Sequence, residues 1–189
     1  MRYSEDHKAK THQSILDEAA RRFRADGVGA TGLQPLMKSL GLTHGGFYAH
    51  FKSKDDLVEQ SLQHATAQLK ASLALKTGPD APLSQLIETY LSPQHRANPG
   101  QGCPLPTVSA ELGQKGQPSP TTDKVINNRL QSIASKLPGE DAAQQSMLVL
   151  SAMVGALVLS RSVSDPALAD ELLENAREQL IKLVEKPAA

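Results

Sequence analysis

Apolar residues recur along this chain every three or four positions, the period of a helix with one buried face. In segment 5–25, Ile15, Leu16, Ala19, Ala20 and Phe23 fall together, while Arg21, Arg22 and Arg24 fall largely opposite. Gly27 suits a left-handed stop and, with Gly29, ends the segment. Thr31 and Gln34 stand at capping-box spacing before Leu33, Leu36, Met37 and Leu40, with Pro35 in the first turn. Gly41 breaks this short helix, and Thr43 can cap the next, His44 to His50. Ser53 with Asp56 caps a long helix that turns Leu57, Val58, Leu62, Ala65, Leu69 and Leu73 inward and ends near Thr77-Gly78-Pro79. Further helices fit 82–92, 121–136, 140–162 and 166–185, and Pro104 to Leu112 suits a short one. His95 to Pro106 reads as a loop, and Gly113 to Pro120 as a second, mobile one. No run alternates as a strand does, so the pattern predicts an all-α fold.

Composition narrows the setting. A length of 189 residues gives one large domain or two small ones. The 39% hydrophobic content is enough for a core. A single cysteine, Cys103, excludes an internal disulfide and favours a reducing compartment. The opening MRYSEDHKAKTHQS has no apolar stretch of the kind a secretory signal needs. The greasiest run, Met147 to Leu159, is broken by Ser151 and Gly155 and reads as too short to span a bilayer, which takes ~20 apolar residues. The expectation is a cytoplasmic protein with no membrane partner.

Net charge is zero, but its distribution is uneven. Residues 1–54 hold nine Lys and Arg (Arg2, Lys8, Lys10, Arg21, Arg22, Arg24, Lys38, Lys52 and Lys54) against five Asp and Glu, leaving the remainder acidic. Four of six histidines (His7, His12, His44 and His50) lie there too, and only Tyr90 among the aromatics lies beyond it, Tyr3 being N-terminal. A basic head on an acidic body suits a polyanion ligand, although ordinary scatter gives the same sum.

Two short helices with a glycine between them, Leu33–Leu40 and His44–His50, have helix-turn-helix dimensions. A helix of about seven residues is ~10 Å long, short enough to enter a major groove ~12 Å wide. The run Ile15-Leu16-Asp17-x-Ala19, Phe23-x-x-x-Gly27, Ala30-Thr31 and Leu40-Gly41-Leu42-Thr43-x-Gly45-x-Phe47-Tyr48-x-His50-Phe51-x-Ser53-Lys54-x-x-Leu57 resembles the N-terminal domain of TetR-family transcriptional repressors. The resemblance covers about residues 8–60. It implies a three-helix DNA-binding domain over 1–52 and a helical effector-binding and dimerisation domain over 53–189.

The resemblance also implies roles. Thr43 and Tyr48 would bond DNA phosphates, His50 and Lys54 would be further backbone contacts, and Lys52 and Gly45 belong to the same DNA-binding set. His44 and Gly46 would face base edges; the glycine reads no base but permits close approach, so His44, Thr43 and Gln34 or Lys38 would carry direct readout, with DNA shape contributing. Phe47 and Phe51 suit the core better than base contact, and Val28 stands where the family often has an aromatic. The implied partners are double-stranded operator DNA, a second copy of the chain and a small-molecule effector.

Competing chemistry finds little support. His44-Gly45-Gly46 looks like an esterase oxyanion loop, but no G-x-S-x-G elbow accompanies it. His44 and His50 are not at metal-ligand spacing on one helical face, and no phosphate-binding glycine loop is present. The chain reads as a non-enzyme without metal or cofactor; Cys103 with His95 is the one conceivable nucleophile pair.

In the second part, Met147, Leu148, Leu150, Met153, Val154, Leu157 and Val158 wrap more than half of one helix. Gly155, Ala152, Ala156 and Ser151 allow a neighbour close. The next helix offers Leu168, Leu172, Leu173, Ala176, Leu180, Ile181 and Val184. The resemblance implies that two such helices from each of two chains form a four-helix bundle; the pattern alone equally suits the core of one protomer. Candidate effector-lining groups are Leu62, Leu69, Leu86, Tyr90, Met147, Ser151 and Arg161, and the scarcity of aromatics suits an aliphatic or small polar ligand. Cys103, ahead of Pro104, has the position of a helix N-cap. It is a candidate oxidant or electrophile sensor, or a small cap residue in a tight turn.

Overall fold

The computed structural model describes residues 5–78 and 80–185, so Arg2, Tyr3 and Pro79 lie outside the described residues. Among the described residues there is no strand. In chain order the helices are α1 (Glu5–Asp26), α2 (Leu33–Ser39), a 3-10 helix (His44–Ala49), α3 (Lys54–Thr77), α4 (Leu83–Tyr90), α5 (Pro93–Ala97), α6 (Ala110–Gln114), α7 (Pro120–Ala134), α8 (Ala142–Ser162) and α9 (Pro166–Val184). A 3-10 turn covers Pro99–Gln101 and a π turn covers Leu105–Ser109. The chain forms two compact units, one of residues 1–68 with 100–121 and the other of 69–99 with 122–189. The linear division at 52/53 therefore differs from the spatial one. The start of the long α3 belongs with the head, and so does a segment from far along the chain.

In the first unit, Ile15, Leu16, Ala19, Ala20 and Phe23 of α1, Leu36 and Met37 of α2, and Leu57, Val58, Leu62 and Ala65 of α3 are buried together with Phe47 and Phe51. Burying each large side chain contributes about 1.5–3 kcal/mol, so this core holds the small head together. Gly27 closes α1 at φ 88°, as its position predicts. Thr31 does not cap α2. Its hydroxyl donates to the Gly27 carbonyl at 2.7 Å, and Gly32 holds the cap position without a side chain. The α1 end, rich in unsatisfied carbonyls, takes the hydroxyl first. Arg24 is also misplaced by periodicity alone: it is buried, 4% exposed, and not on the polar face.

In the second unit, α8 packs on α9, α9 on α4, and α5 on α8. Asp165 caps α9 by accepting from the Ala167 amide at 2.9 Å, with Pro166 in the first turn. The expected loop at 95–106 is partly helical, because Ser92-Pro93 is itself a helix start: Ser92 Oγ accepts from the His95 amide at 3.1 Å.

The 21-residue helix α8 is long and apolar enough, by length and composition, to cross a membrane. The apolar run Met147 to Leu159 is the middle of this helix, which residues 142–146 and 160–162 complete as the sequence expects of a helix over 140–162; a core helix passes the same length-and-composition test. One side of α8 buries Val149, Leu150, Met153, Ala156 and Leu157, while Met147, Leu148, Val158 and Leu159 are exposed.

Candidate nucleic-acid interface

The turn between α2 and the 3-10 helix is closed by two backbone bonds. The Gly41 amide donates to Lys38 O at 3.1 Å and the Leu42 amide to Met37 O at 2.9 Å. This pairing needs a left-handed residue after the helix, and Gly41 supplies it at φ 69°. Leu42 is half-buried. The chain then enters the second helix at Thr43, whose Oγ1 accepts from the Gly46 amide at 3.3 Å. The second helix is a six-residue 3-10 helix, tighter than the α-helix expected. A 3-10 helix rises ~2.0 Å per residue, so it remains short enough for a groove.

This helix has two unlike sides. Phe47 is fully buried and stacks near Phe51, ring centroids 5.6 Å apart. Tyr48 is 62% exposed, edge-on to Phe47 at 5.2 Å and to His44 at 6.0 Å. Thr43, His44 and Gly45 are exposed, Gly46 is half-buried, and Gln34 and Lys38 of α2 are exposed nearby in sequence. The apolar ring of one side fixes the helix, and the polar side faces solvent.

His50 follows the helix and is half-buried; its Nδ1 is buried without a hydrogen-bond partner. Burial, then His12 and Lys8 nearby, push its pKa down and favour the neutral ring. The His12 ring stacks on Phe51 at 4.4 Å and lies 6.0 Å from His50.

The start of α3 is capped as predicted. The Asp56 amide donates to Ser53 Oγ at 3.0 Å, while the Asp56 carboxylate accepts from the Lys52 amide at 2.9 Å. Hydrogen bonds from Gln60 and then the Lys52 amide hold the Asp56 carboxyl below its usual range. Lys52 is exposed. Lys54 is half-buried and its ammonium donates to the Val28 carbonyl at 2.6 Å. Burial lowers its pKa first, with Lys115 adding to the effect.

The basic surplus of the head is largely spent inside it. Arg21 and Arg22 both pair with Glu18, at 2.8 and 2.7 Å, and Lys10 pairs with Asp6 at 2.9 Å. The buried Arg24 donates to Ala20 O, Gly102 O and Gln68 Oε1. The one local sign of Arg24's burial is its place beside Phe23, four residues after Ala20. Glu111, whose carboxylate meets Val28 and Gly29, and Thr107, which meets Arg24, carried no local signal, because their partners lie more than 80 residues away.

Of the candidate effector residues, Leu62 belongs to the first unit and the others to the second. Met147 and Ser151 are exposed, Leu69 and Tyr90 are buried, and Leu86 is half-buried. Arg161 donates to the carbonyls of His95 and Arg96 at 2.7 and 3.1 Å, closing the α5 region. Among the described residues no three His, Cys, Asp or Glu side chains group as a metal site.

Cys103 is 3% exposed and is not an N-cap. Pro104 occupies that position for the π turn, which places the thiol one residue outside. Among the candidate interface residues, Met153, Leu157, Leu173 and Leu180 are buried in the protomer's own core, because α8 and α9 pack on each other through them. Met147, Leu148 and Leu168 are exposed, and Gly155, Leu172 and Ala176 are half-buried. Leu159, exposed beside Val158, belongs with this outer face and was not singled out.

Residues 15–60 match the family described as bacterial regulatory proteins, tetR family. The HTH-type transcriptional regulator AcrR of Shigella flexneri is 45% identical over 51 residues, which cover 27% of this chain and 24% of that protein. The match thus spans about a quarter of that relative's length. Solved structures share the fold over nearly the whole chain. A TetR-family regulator from Cytophaga hutchinsonii superposes with a TM-score of 0.75 at 20% identity, covering 100% of both chains. Reduced NemR of E. coli gives 0.73 at 20% identity, covering 95% of this chain and 100% of that one.

Proposed function

We propose, from the premise that the chain belongs to the TetR family of transcriptional regulators, that it represses transcription as a homodimer released from its operator by a small molecule. The observation that carries this reading is the short helix after Thr43, with Phe47 locked inside and Tyr48 bare outside. Such a helix is rigid enough to be read against a groove and polar enough to enter it.

In this reading Thr43, Tyr48, His50 and Lys52 bind phosphates, and Lys54 does so from its anchorage on Val28. Phosphate contacts set position, and base edges set sequence. His44 carries base readout with Gln34 and Lys38 beside it. Gly45 and Gly46 bring backbone close, and their lack of side chains shifts part of the discrimination to DNA shape.

One short helix binds weakly by itself, and a second, joined copy raises effective concentration. The exposed face of α8 (Met147, Leu148, Val158 and Leu159) with Leu168 of α9 supplies the dimer surface. A symmetric pair then meets half-sites ~34–36 Å apart or at a related spacing. The effector binds the second unit in a form that disfavours that spacing, since a ligand shifts only an equilibrium whose two states it distinguishes.

A thiol switch at Cys103 is the second reading, and the burial of Cys103, 3% exposed, stands against it. The test is enrichment of duplexes from a random library by the full chain, followed by footprinting. A two-fold symmetric site bound tightly over random duplex at fixed salt supports the proposal. Binding that falls steeply with salt and ignores sequence overturns it.

A further inference from the structure

The end of α1 is held by one stripe of a segment from far along the chain. Thr107 Oγ1 donates to the Arg24 carbonyl at 3.0 Å. Four residues later, the Glu111 carboxylate accepts from the amides of Val28 at 2.6 Å and Gly29 at 2.7 Å. Residues four apart on a helical backbone share a face. That face offers a donor to the last carbonyls of α1, which a helix end leaves unsatisfied, and an acceptor to the amides of the turn just past it.

The peptide unit joining Val28 to Gly29 is gripped at both polar ends. Its carbonyl takes the Lys54 ammonium at 2.6 Å, and its amide meets Glu111. Lys115 pairs with the same carboxylate at 2.5 Å. Burial raises the Glu111 pKa, but Lys115 and the two amides outweigh it and keep the carboxyl below its ordinary range.

Two glycines make room for this contact. A Cβ on Gly27 would stand 2.9 Å from Glu111 Oε2, and one on Gly29 would stand 2.8 Å from Oε1. Gly27 also needs its positive φ, but Gly29 does not. At Gly29 the carboxylate, the far end of a flexible side chain, is the close neighbour that would have to give way to a side chain.

The gripped turn leads directly into α2, the first helix of the DNA-reading pair. We propose that Glu111 is a positioning residue for DNA reading, clasping the α1–α2 turn so that loosening of the 105–115 segment is felt as lost DNA affinity. The proposal rests on the DNA-binding reading above. A head held in its reading pose loses less freedom on binding than a loose one.

The test uses the full chain and a duplex that the wild-type protein enriches from a random library. Glu111→Ala removes the carboxylate. Gly29→Ala keeps it but drives it away by contact. Each is expected to weaken DNA binding about tenfold and to speed amide hydrogen exchange at residues 28 and 29. The double variant is expected to be no worse than either single one, because both remove the same contact. Glu111→Gln, which retains one acceptor oxygen, should fall between. Faster exchange with affinity within about twofold of wild type overturns the proposal, since a merely structural contact behaves so. Unchanged exchange, or losses that simply add, overturns it as well. Failure of the wild-type chain to enrich any duplex sinks the DNA-binding reading itself, a separate outcome.

Discussion

The Thr43 hydroxyl accepts a hydrogen bond from the Gly46 amide at 3.3 Å, and this contact starts the helix that carries Phe47 and Tyr48. Replacing a cap hydroxyl by alanine costs about 1 kcal/mol. Thr43→Ala is expected to lower the urea midpoint accordingly and to weaken DNA binding, and Thr43→Ser to restore both. Equal stability in Thr43→Ala and wild type would show that the cap does not hold the helix.

Tyr48 and its neighbour Phe47 should separate function from folding. Tyr48 is 62% exposed, so Tyr48→Phe is expected to leave stability within about 0.5 kcal/mol. DNA affinity should fall about fivefold, the equivalent of ~1 kcal/mol for one hydrogen bond. Phe47→Ala, at a position of 0% exposure, should instead cost about 3–5 kcal/mol and unfold the head. Paired denaturation and DNA-binding curves decide this. An unchanged affinity in Tyr48→Phe removes the hydroxyl from the interface.

Acid should destabilise the head over two separate pH ranges. His50 has its pKa pushed below 6.5 by burial, then by His12 and Lys8. Above 6.5 the ring is neutral in both states and contributes nothing. As pH falls below 6.5, the unfolded chain takes up a proton that the folded one resists, and stability drops until the folded pKa is reached. Lower down, hydrogen bonds from Arg21, and after them from Arg22, hold Glu18 at about 2 against burial. Its contribution is present above 4.5 and is lost as pH falls through about 2. Thermal midpoints across pH should show a shallower upper limb in His50→Gln and a shallower lower limb in Glu18→Gln. Limbs that match wild type would refute the assignments.

The two sides of α8 should respond oppositely. Leu148→Asp or Leu159→Asp alters an exposed position, and each is expected to yield a folded monomer in sedimentation. Leu157→Ala, at 0% exposure, should cost about 2–5 kcal/mol and leave association unchanged in the folded fraction. A Leu148→Asp chain that stays dimeric moves the interface elsewhere. Recovery of the wild-type chain in a membrane fraction would give the exposed face another occupant.

Cys103, at 3% exposure, should react with a maleimide far more slowly in the native chain than in denaturant. Complete modification is expected to leave DNA affinity intact. Loss of binding on modification would favour the thiol switch over the small-molecule route.

Much of this molecule was legible because its signals are local. Gly27 and Gly41 announced helix ends, Thr43 and Ser53 announced starts, and Phe47 and Phe51 marked the packed side of the 3-10 helix after Thr43. Where reading failed, two local options competed or the partner was distant. Thr31 had the spacing of a cap for α2, but the end of α1 offered its hydroxyl a nearer acceptor. Arg24 looked solvated until Gly102 and Gln68 came to meet it. Glu111 was silent, since nothing around residue 111 tells of residues 28 and 29. Periodicity on α8 marked apolar positions without saying which point inward. Met153 and Leu157 turned in, and Met147 and Leu148 turned out.

Two adjoining glycines, Gly45 and Gly46, sit in the first turn of the helix after Thr43. In the proposed DNA contact, a readout surface with two blank letters has low information content opposite them. Base substitutions there should be tolerated, and the recognised consensus should be concentrated at its flanks. Supplying a side chain at Gly45, where nothing lies within 4 Å of an added Cβ, is therefore a route to a regulator with a new and narrower vocabulary.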